Sequence, residues 1–408
     1  MQNKLKIFND PIYGFITIPN AQIFNLIEHK YFQRLRRITQ MGLSYMVYPG
    51  AHHTRFHHAL GCMYLMQKAV RSLRFKGVTI SDDEEQALYI AILLHDIGHG
   101  PFSHAMEHSI VNGVTHEQIS LLFMEALNEE FNGTLTLAIQ IFKGEHPRKF
   151  LCQLISSQLD MDRADYLKRD SFYSGAVEGN INSERLIAML NVVDDNLVVE
   201  QKGIYSVEKF LIARRLMYWQ VYLHKTSLAA EQVLIRILNR AKALILDQGK
   251  TLPASPALQF FLQHQIAFDD FNDQVLEEFS KLDDYDIISA LKQWQNHDDF
   301  VLSKLSSMII NRDLLKVKIK KKAIKPEKLS QKIKTVAAQY KVSEHEASYF
   351  VFSDTISNQA YENKRQNINI LYKTGKIEDI VKASDQLNLK ALSKPVTKYF
   401  ICYPKDIN

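Results

Sequence analysis

Cysteine, glycine and proline are all scarce in this chain of 408 residues. Fifteen glycines and ten prolines leave long stretches free to form helices. The most apolar stretch, around Ile90–Leu94, is too short to cross a bilayer, and Met1–Gly14 lacks a signal-peptide core. The three cysteines lie far apart and predict neither a disulfide framework nor a cysteine metal site: Cys62, Cys152 and Cys402. We therefore expect a soluble cytoplasmic protein with no membrane contact.

Positive charge is in small excess over negative charge, with a formal net charge of +5. Hydrophobic residues make up 46% and charged residues 23% of the chain, which is typical of a globular protein with room for two or three domains. The mild positive balance suits an anionic ligand such as a nucleotide. By itself it does not indicate DNA binding.

The densest group of potential ligands lies in residues 92–104, with the sequence Ile-Leu-Leu-His-Asp-Ile-Gly-His-Gly-Pro-Phe-Ser-His. An apolar helical run leads to His95 and Asp96 and then breaks at Gly98, Gly100 and Pro101. Adjacent imidazole and carboxylate groups suit a divalent metal at a site that activates water. The plain alternative is a buried helix end with hydrogen-bonded histidines. With His108, four histidines and one aspartate fall within the fourteen residues 95–108, which favours the metal.

Other segments carry compatible chemistry. Arg55 precedes His58 by three residues, so the two share a helix face, and an arginine beside a metal ligand suits a phosphate ester. His116 follows a predicted cap, Thr115, at the helix end that attracts anions. Polar residues recur at spacings of three and four along one helix face, as on a solvated face or the wall of a cleft: Asp162, Asp165-Tyr166 and Arg169-Asp170. A second carboxylate there would complete a set of two histidines and two aspartates.

Hydrophobic spacing predicts long helices up to residue 310. We expect helices from Ala21 to about Met41, from the His52–Gly61 stretch to about Phe75, through Phe150–Asp170, and from Val207 to about Asp247 with Ser206 as its cap. We also expect a hairpin over Asn196–Tyr205 that turns at Lys202 and Gly203. The arginines near Gln33 are equally consistent with a solvent-exposed helix face and with a phosphate-binding site.

The composition changes near residue 311. Lys316–Lys320 alternates like a strand with a basic face, and more lysines follow up to Lys325. Further short elements are predicted over Lys328–Tyr340 (helix), Tyr349–Phe352 (strand), Asn367–Tyr372 (strand), Ile377–Leu387 (helix) and Pro395–Tyr403 (strand). We therefore divide the chain into a helical core, residues 1–310, and a small α+β C-terminal lobe, residues 311–408.

Taken together, these residues resemble the HD-domain phosphohydrolase superfamily. The surrounding motifs resemble its branch of deoxynucleoside triphosphate (dNTP) triphosphohydrolases, which includes the human SAM-and-HD-domain enzyme. The motifs are Phe32–Arg36, Arg55-Phe56-His57-His58, Gly98–His104 and Asp165-Tyr166. The resemblance implies a mainly α fold, with an HD-domain helical core and a short hairpin, besides the small lobe. It also implies hydrolysis of a dNTP to a deoxynucleoside and intact triphosphate.

The resemblance implies roles for individual residues. One divalent metal ion (Mn, Fe, Mg or Zn) would be bound by His58, His95, Asp96 and Asp162. The groups beside the scissile bond, or supporting proton transfer there, would be His99, His104, His116 and Glu117. Phosphate contacts would come from Arg55, Arg163 (in place of a family lysine) and Arg214. The sugar 3′-hydroxyl would be recognised by Gln40, Tyr166 and Asp170. Tyr222 would pack under the deoxyribose and exclude a 2′-hydroxyl, while Tyr218 replaces a family histidine near the base.

Many members of the branch form homo-oligomers with a regulatory guanine nucleotide between subunits. The matching positions here are Asn9, Glu28 (an Asp in the human enzyme), Gln33, Arg36 and Lys225, so we expect a dimer or tetramer with a GTP or dGTP activator. One alternative is an HD-type phosphodiesterase or nucleotidase acting on another nucleotide. The other is a nucleic-acid-binding protein with a vestigial site, using the lysines between Lys316 and Lys325.

Overall fold

The computed structural model describes residues 6–102, 105–106, 109–111, 113–362, 367–385 and 392–407. The fold is mainly α, as predicted. The α-helices are α1 (Ala21–Glu28), α2 (Lys30–Gln33), α3 (Arg55–Phe75), α4 (Asp82–Leu94), α5 (His116–Glu130), α6 (Thr136–Phe142), α7 (Lys149–Ile155), α8 (Met161–Ser174), α9 (Ser183–Ala188), α10 (Ile204–Met217), α11 (Lys225–Leu246), α12 (Pro256–Gln263), α13 (Asp273–Lys281), α14 (Asp284–Trp294), α15 (Phe300–Ile310), α16 (Pro326–Tyr340), α17 (Glu344–Ala347) and α18 (Ile380–Ala383).

Shorter helical turns connect these elements. Five are 3₁₀ turns within the described ranges: Arg34–Arg37, Gly42–Met46, Val177–Gly179, Gln201–Gly203 and Phe268–Asp270. Residues Tyr218–Tyr222 form a π-helical turn between α10 and α11. Such turns occur often at functional sites.

The strands are β1 (Ile7–Asp10), β2 (Gly14–Thr17), β3 (Leu190–Val193), β4 (Asn196–Glu200), β5 (Lys316–Lys320), β6 (Phe352–Asn358), β7 (Asn369–Leu371), β8 (Ile377–Asp379) and β9 (Val396–Tyr403). They form a β1-β2 hairpin, a β3-β4-β7-β8 sheet and a β5-β9-β6 sheet. The first pair is antiparallel, with Ile7 opposite Thr17. Within the described residues, no helix combines the length and the apolarity that a bilayer crossing needs.

Three helices position the candidate site. The long helix α3 packs against both α4 and α8. The start of α3, the end of α4 and the start of α8 therefore meet, and these ends carry His58, His95 and Asp162. Caps fix the starts of two of these helices: Ser81 accepts from the Glu84 backbone N–H in α4, and Asp160 accepts from that of Arg163 in α8. The sequence thus brings distant ligands together by standard helix starts and packing.

Three predicted helices prove to be interrupted by capping side chains. The Ala21–Met41 helix breaks at His29, whose ring accepts a hydrogen bond from the Tyr31 N–H, so that α2 starts anew. The Phe150–Asp170 helix breaks before Asp160, and the Val207–Asp247 helix breaks at the π-helical turn and at His224. Hydrophobic spacing continues across each break, which is why the sequence analysis missed them. The prediction of Ser206 as a cap was also wrong, because α10 begins at Ile204.

The prediction of a hairpin over Asn196–Tyr205 was wrong: Asn196–Glu200 forms β4, which pairs with the preceding strand β3, and helix α10 starts at Ile204. Strands β3 and β4 pair with Val193 opposite Asn196, so the turn is at Asp194 and Asp195. Both adopt positive φ, 48° and 54°, which a two-residue hairpin turn requires and aspartate tolerates. Gly203 lies instead in a 3₁₀ turn, where an added Cβ would lie 2.5 Å from Val199 Cγ1. Glycine is needed there for close packing, not for a turn.

The C-terminal elements shift from their predicted bounds but keep the α+β character. The Lys316–Lys320 strand is confirmed as β5, whereas the next strand is β6, later than predicted. The predicted Ile377–Leu387 helix starts as β8, and Asp379 then caps the short helix α18. Strand β4 pairs in parallel with β7, so one sheet crosses the predicted boundary between residues 310 and 311. The division into two domains stays a prediction.

Candidate metal centre and adjoining cavity

Four buried or half-buried side chains converge where α3, α4 and α8 meet. Asp162 Oδ1 lies 3.2 Å from His58 Nε2 and 3.6 Å from His95 Nε2. Asp96 Oδ1 lies 3.4 Å from His95 Nε2, and Asp96 Oδ2 lies 3.7 Å from His58 Nε2. Two imidazole nitrogens and two carboxylates therefore surround one point. These are the four residues that the resemblance implies as metal ligands.

The orientation of both rings fits a cation. His95 Nδ1 hydrogen-bonds the Ile92 carbonyl at 2.7 Å, which leaves Nε2 directed into the cluster. That Nε2 atom is buried and lacks a hydrogen-bond partner among the described residues. An unpartnered buried nitrogen between two carboxylates is costly unless a ligand completes it. The donor set of two imidazoles and two carboxylates suits a divalent transition metal or Mg²⁺.

The electrostatics of the cluster are those of a cation site. Burial opposes ionisation of Asp162, but the neighbouring His58 and His95 rings outweigh it and hold the pKa of Asp162 well below its usual range. Burial likewise opposes protonation of His95, but the Asp96 carboxylate outweighs it and raises the pKa of His95. The two acids thus favour positive charge at the position between the rings.

A second layer holds His58 in place. His58 Nδ1 lies 2.8 Å from Asp165 Oδ2, and Arg169 donates to both Asp165 oxygens at 2.8 and 3.0 Å. Arg169 also donates to Asp10 at 2.7 Å, which ties the β1-β2 hairpin to the centre. Burial raises the pKa of Asp165, but Arg169 outweighs it and lowers that pKa to about 2. A carboxylate on the second nitrogen of a ligating histidine fixes its tautomer and orientation.

Cys62 lies one helical turn after His58. Its Sγ atom is 3.5 Å from His58 Nδ1 and 3.6 Å from Nε2, so it contacts both ring nitrogens about equally. The thiol falls within the same group of potential ligand atoms as His58, His95 and Asp162. Burial raises the pKa of Cys62, which keeps the sulfur protonated. Cys62 therefore packs beside the ring as a neutral thiol.

Histidines of the central motif extend from the cluster toward a cavity. His99 Nε2 lies 3.2 Å from Asp96 Oδ1, and its ring stacks on His116 with centroids 3.8 Å apart. His116 Nε2 in turn lies 3.3 Å from Glu117. Burial, and then the charge of Arg55, hold the pKa of His99 well below its usual range. His104, the remaining predicted proton donor, lies outside the described residues.

A cavity of about 360 Å³ opens from the cluster. At one end it is lined by Arg55, Asp96, His99, His116 and Asp162, and at the other by Gln40, Tyr166, Asp170, Tyr218 and Tyr222. A larger groove of about 940 Å³ lies beside it, between α11 and β6. The described lining of that groove contains none of the predicted metal ligands. The smaller cavity is therefore the candidate active site.

Loops along the cavity are tied down by Asp284 at the start of α14. Its carboxylate accepts from the Thr39 N–H and hydroxyl at 2.8 and 2.7 Å, and from the Phe102 N–H at 3.2 Å. Phe102 has a positive φ of 46°, a conformation that a side chain adopts only when its surroundings hold it. Burial raises the pKa of Asp284 to about 6.

The far end of the cavity carries hydrogen-bonding groups around Asp170. Tyr222 donates its hydroxyl to Asp170 Oδ2 at 2.7 Å, and His53 Nε2 lies 2.7 Å from Asp170 Oδ1. Gln40 Oε1 is buried and has no partner within the described ranges. Burial raises the pKa of both Tyr166 and Tyr222, so both phenols stay protonated. This end can exchange hydrogen bonds with a polyhydroxylated ligand.

Two arginines with predicted phosphate contacts lie outside the described cavity lining. Arg163 pairs with Asp160, the cap of its own helix, which strongly favours its charged form and raises its pKa. Arg214 donates to Gln158 Oε1 and to the Ala360 carbonyl, both at 3.1 Å. Both would have to leave these partners to reach a phosphate in the cavity. By contrast, Arg55 already pairs with Asp96 at the cavity wall.

The predicted regulatory residues lie apart from the cavity. Arg36 donates to Gln33 Oε1 at 2.8 Å and lies over the Phe56 ring, which also contacts Phe8 in β1. Asn9, the next residue in β1, is exposed. Glu28 is exposed at the end of α1, and Lys225 is exposed at the start of α11.

The sequence analysis missed several supporting residues. Asp165 and Arg169 were seen as a polar stripe but given no contact with His58, and His53 was given no role. Asp10, Gly61 and Asp284 carried no chemical motif. The only local signal was the spacing of three and four along α8, because the remaining contacts join segments far apart in the chain.

Two family models match the chain. The HD domain family matches residues 55–170, which contain all four predicted metal ligands, and the HD associated region matches residues 181–254. The deoxynucleoside triphosphate triphosphohydrolase SAMHD1 of Homo sapiens is 31% identical, over 55% of this chain and 42% of that protein.

Two further proteins are similar over almost the whole chain. The uncharacterised protein YwfO of Bacillus subtilis is 31% identical, over 98% of this chain and 93% of that protein. The crystal structure of a phosphohydrolase from Bacteroides thetaiotaomicron is 54% identical, with a TM-score of 0.95, and covers 98% of this chain and 100% of that one. With the His-His-Asp-Asp cluster in place, the chain belongs to the HD-domain phosphohydrolase superfamily.

Proposed function

We propose that this protein hydrolyses deoxynucleoside triphosphates to a deoxynucleoside and intact triphosphate. The observation that carries the proposal is the cavity with two different ends. The candidate metal ligands and Arg55 lie at one end, and hydrogen-bonding side chains around Asp170 lie at the other. A nucleotide bound along this cavity would place its α-phosphate near the cluster and its sugar near Asp170.

The four ligands His58, His95, Asp96 and Asp162 would hold one divalent ion. Such an ion lowers the pKa of water and withdraws charge from a phosphoryl oxygen when bound. The guanidinium of Arg55, at the wall beside Asp96, is placed to neutralise charge on the α-phosphate. The stacked pair His99 and His116 lies next to this point, with Glu117 behind His116 to support its protonated form. His104 is the other proposed donor to the leaving 5′-oxygen.

Selectivity for deoxyribose over ribose would come from the end of the cavity that contains Asp170. The Asp170 carboxylate is an acceptor, and the buried Gln40 Oε1 is an acceptor without a partner among the described residues. Either can accept a hydrogen bond from a 3′-hydroxyl. The Tyr222 ring lies against Tyr166 and would fill the space that a 2′-hydroxyl needs. A deoxyribose is therefore favoured over a ribose.

The decisive assay offers each dNTP and each NTP, alone and in pairs, with Mn²⁺, Mg²⁺, Fe²⁺ or Zn²⁺. The proposal expects tripolyphosphate and deoxynucleoside from at least one dNTP, and little from the matching NTP. Release of a nucleoside monophosphate, or turnover of a nucleoside monophosphate or cyclic nucleotide only, would instead support the phosphodiesterase or nucleotidase alternative. Salt-dependent binding of nucleic acid without any turnover would support the binding-protein alternative.

We also propose regulation by a guanine nucleotide in a homo-oligomer, through the exposed Asn9 and Arg36 and the half-buried Gln33. Arg36 is exposed and planar, and its stacking on Phe56 pre-orders it for a base or phosphate. GTP or dGTP should then raise turnover of a second dNTP and shift the sedimentation of the protein to a larger species. Arg36→Ala should lose both effects, whereas Lys209→Ala on α10, which lies outside this group, should keep them.

A further inference from the structure

His53 is a buried histidine outside the central motif that contacts the sugar end of the cavity from behind. Its residue exposure is 2%, and it is absent from the described cavity lining. Its Nε2 lies 2.7 Å from Asp170 Oδ1, while the Tyr222 hydroxyl occupies Oδ2. Because a carboxylate only accepts, His53 donates through Nε2. Asp170 is thus held between one donor from the loop before α3 and another from the π-helical turn.

The backbone of His53 reaches the second sugar residue. The Gln40 N–H donates to the His53 carbonyl at 2.9 Å, and the adjacent Thr39 and Thr54 form a β-bridge. One residue therefore ties down both Gln40 and Asp170, which project from different segments into the same end of the cavity. The ring itself is fixed by stacking on Tyr173, with centroids 4.4 Å apart and planes 16° from parallel.

We infer that His53 is a positioning residue for recognition of the sugar 3′-hydroxyl, an inference that rests on the proposed function. Each Asp170 oxygen has one protein donor and keeps acceptor capacity for a ligand hydroxyl. Without His53, Asp170 Oδ1 loses its donor, and only the hydrogen bond from Tyr222 to Oδ2 holds the carboxylate. The carboxylate can then rotate away from the sugar, and a 1 Å misplacement is costly for an oriented substrate.

The test variant is His53→Phe, which keeps a ring to stack on Tyr173 but removes both nitrogens. The matched control is His52→Phe, since the neighbouring His52 is exposed and stacks on Tyr45. His53→Gln provides rescue, because its amide N–H₂ can reach the position of the ring Nε2. His53→Asn provides a shorter amide that cannot. Thermal unfolding of all four variants separates loss of folding from loss of recognition.

The readout is kcat/KM for a dNTP against the matching 2′,3′-dideoxy-NTP, which lacks the hydroxyl. Loss of a hydrogen bond to a charged group lowers such a ratio by ~10- to 100-fold. We therefore expect kcat/KM for the dNTP to fall by this factor in His53→Phe and His53→Asn. Both variants should hydrolyse the dideoxy compound nearly as the wild type does. His53→Gln and His52→Phe should retain the dNTP preference.

Two outcomes overturn the inference, and they are distinguishable. If the wild type releases tripolyphosphate from no dNTP, the proposed function fails and the inference fails with it. If the wild type is active but folded His53→Phe loses equal activity on both compounds, or loses none, only the inference fails. If His53→Phe does not fold, folded His53→Asn decides by the same comparison, because it also removes the donor to Asp170.

Discussion

Replacing Gly61 with alanine should disturb the side chains that orient the candidate metal ligand His58, although alanine is the better helix former. Gly61 lies in α3, one helical turn from His58, and faces the buried pair of Asp165 and Arg169. An added Cβ would lie 2.8 Å from Asp165 Cγ, and closer still to Asp165 Oδ1 and Arg169 Nη2. Since real Cβ atoms do not approach so closely, the ion pair must move.

Two opposing effects set the magnitude. Alanine in place of glycine gains about 1 kcal/mol of helix propensity. Disrupting a buried ion pair costs about 3–5 kcal/mol, so the net loss in free energy of unfolding is about 2–4 kcal/mol. Because Asp165 also orients His58, metal affinity should fall by ~10- to 100-fold, as for other partners of ligating histidines.

Denaturant unfolding of metal-free protein measures the first effect, and competitive titration with Mn²⁺ at pH 7.5 measures the second. Arg71→Ala, an exposed change on the same helix, is the control and should alter neither. A Gly61→Ala protein that is as stable as the wild type, and binds Mn²⁺ equally well, would refute the role assigned to this network.

Further predictions concern pH, loop anchoring and catalysis. Because Asp96 raises the pKa of His95, protons compete with the metal, so activity should fall on acidification and saturating metal should shift the profile to lower pH; a flat rate down to about pH 5 would contradict this. Burial raises the pKa of Asp284 to about 6, above its value in the unfolded chain, so this carboxyl destabilises the fold as it ionises. The stability advantage of the wild type over Asp284→Asn should therefore shrink as pH rises from about 4 to 6 in urea unfolding, and a constant difference would count against it. His104→Ala should bind dNTP but turn over ~100- to 1,000-fold more slowly in rapid-quench assays, and unchanged turnover would remove His104 from the scheme. Dialysis against a chelator should abolish tripolyphosphate release, and Mn²⁺ should restore it; full activity without metal would contradict the centre.

The turns were the least predictable part of the fold. His29, Asp160 and His224 each start a new helix within a continuous hydrophobic pattern, because a side chain accepts a backbone N–H. Such a cap depends on one side-chain torsion and leaves the apolar spacing unchanged. The hairpin turn was also missed, because glycine at position 203 suggested a turn where it only allows close packing.

The residues that hold the site residues in place could not be predicted from the sequence, for a different reason. Asp10 and Arg169 are 159 residues apart, and His53 and Asp170 are 117 apart, yet each pair is in direct contact. Nothing in the local sequence of either partner identifies the other. These contacts form only when α3 and α8 pack side by side.

The sequence by itself determined which groups this protein can bring to a reaction. The His-Asp pair follows a strongly apolar helix and precedes a glycine-rich break, and these local features fix the approximate direction of both side chains. Long-range contacts formed on folding hold those groups in place, since hydrogen bonds between distant segments choose the free nitrogen of His58 and the orientation of Asp170. The physical reason is range: helix propensity and periodicity act over a few residues, whereas the orientation of a ligand depends on side chains that only folding brings within 3 Å or so.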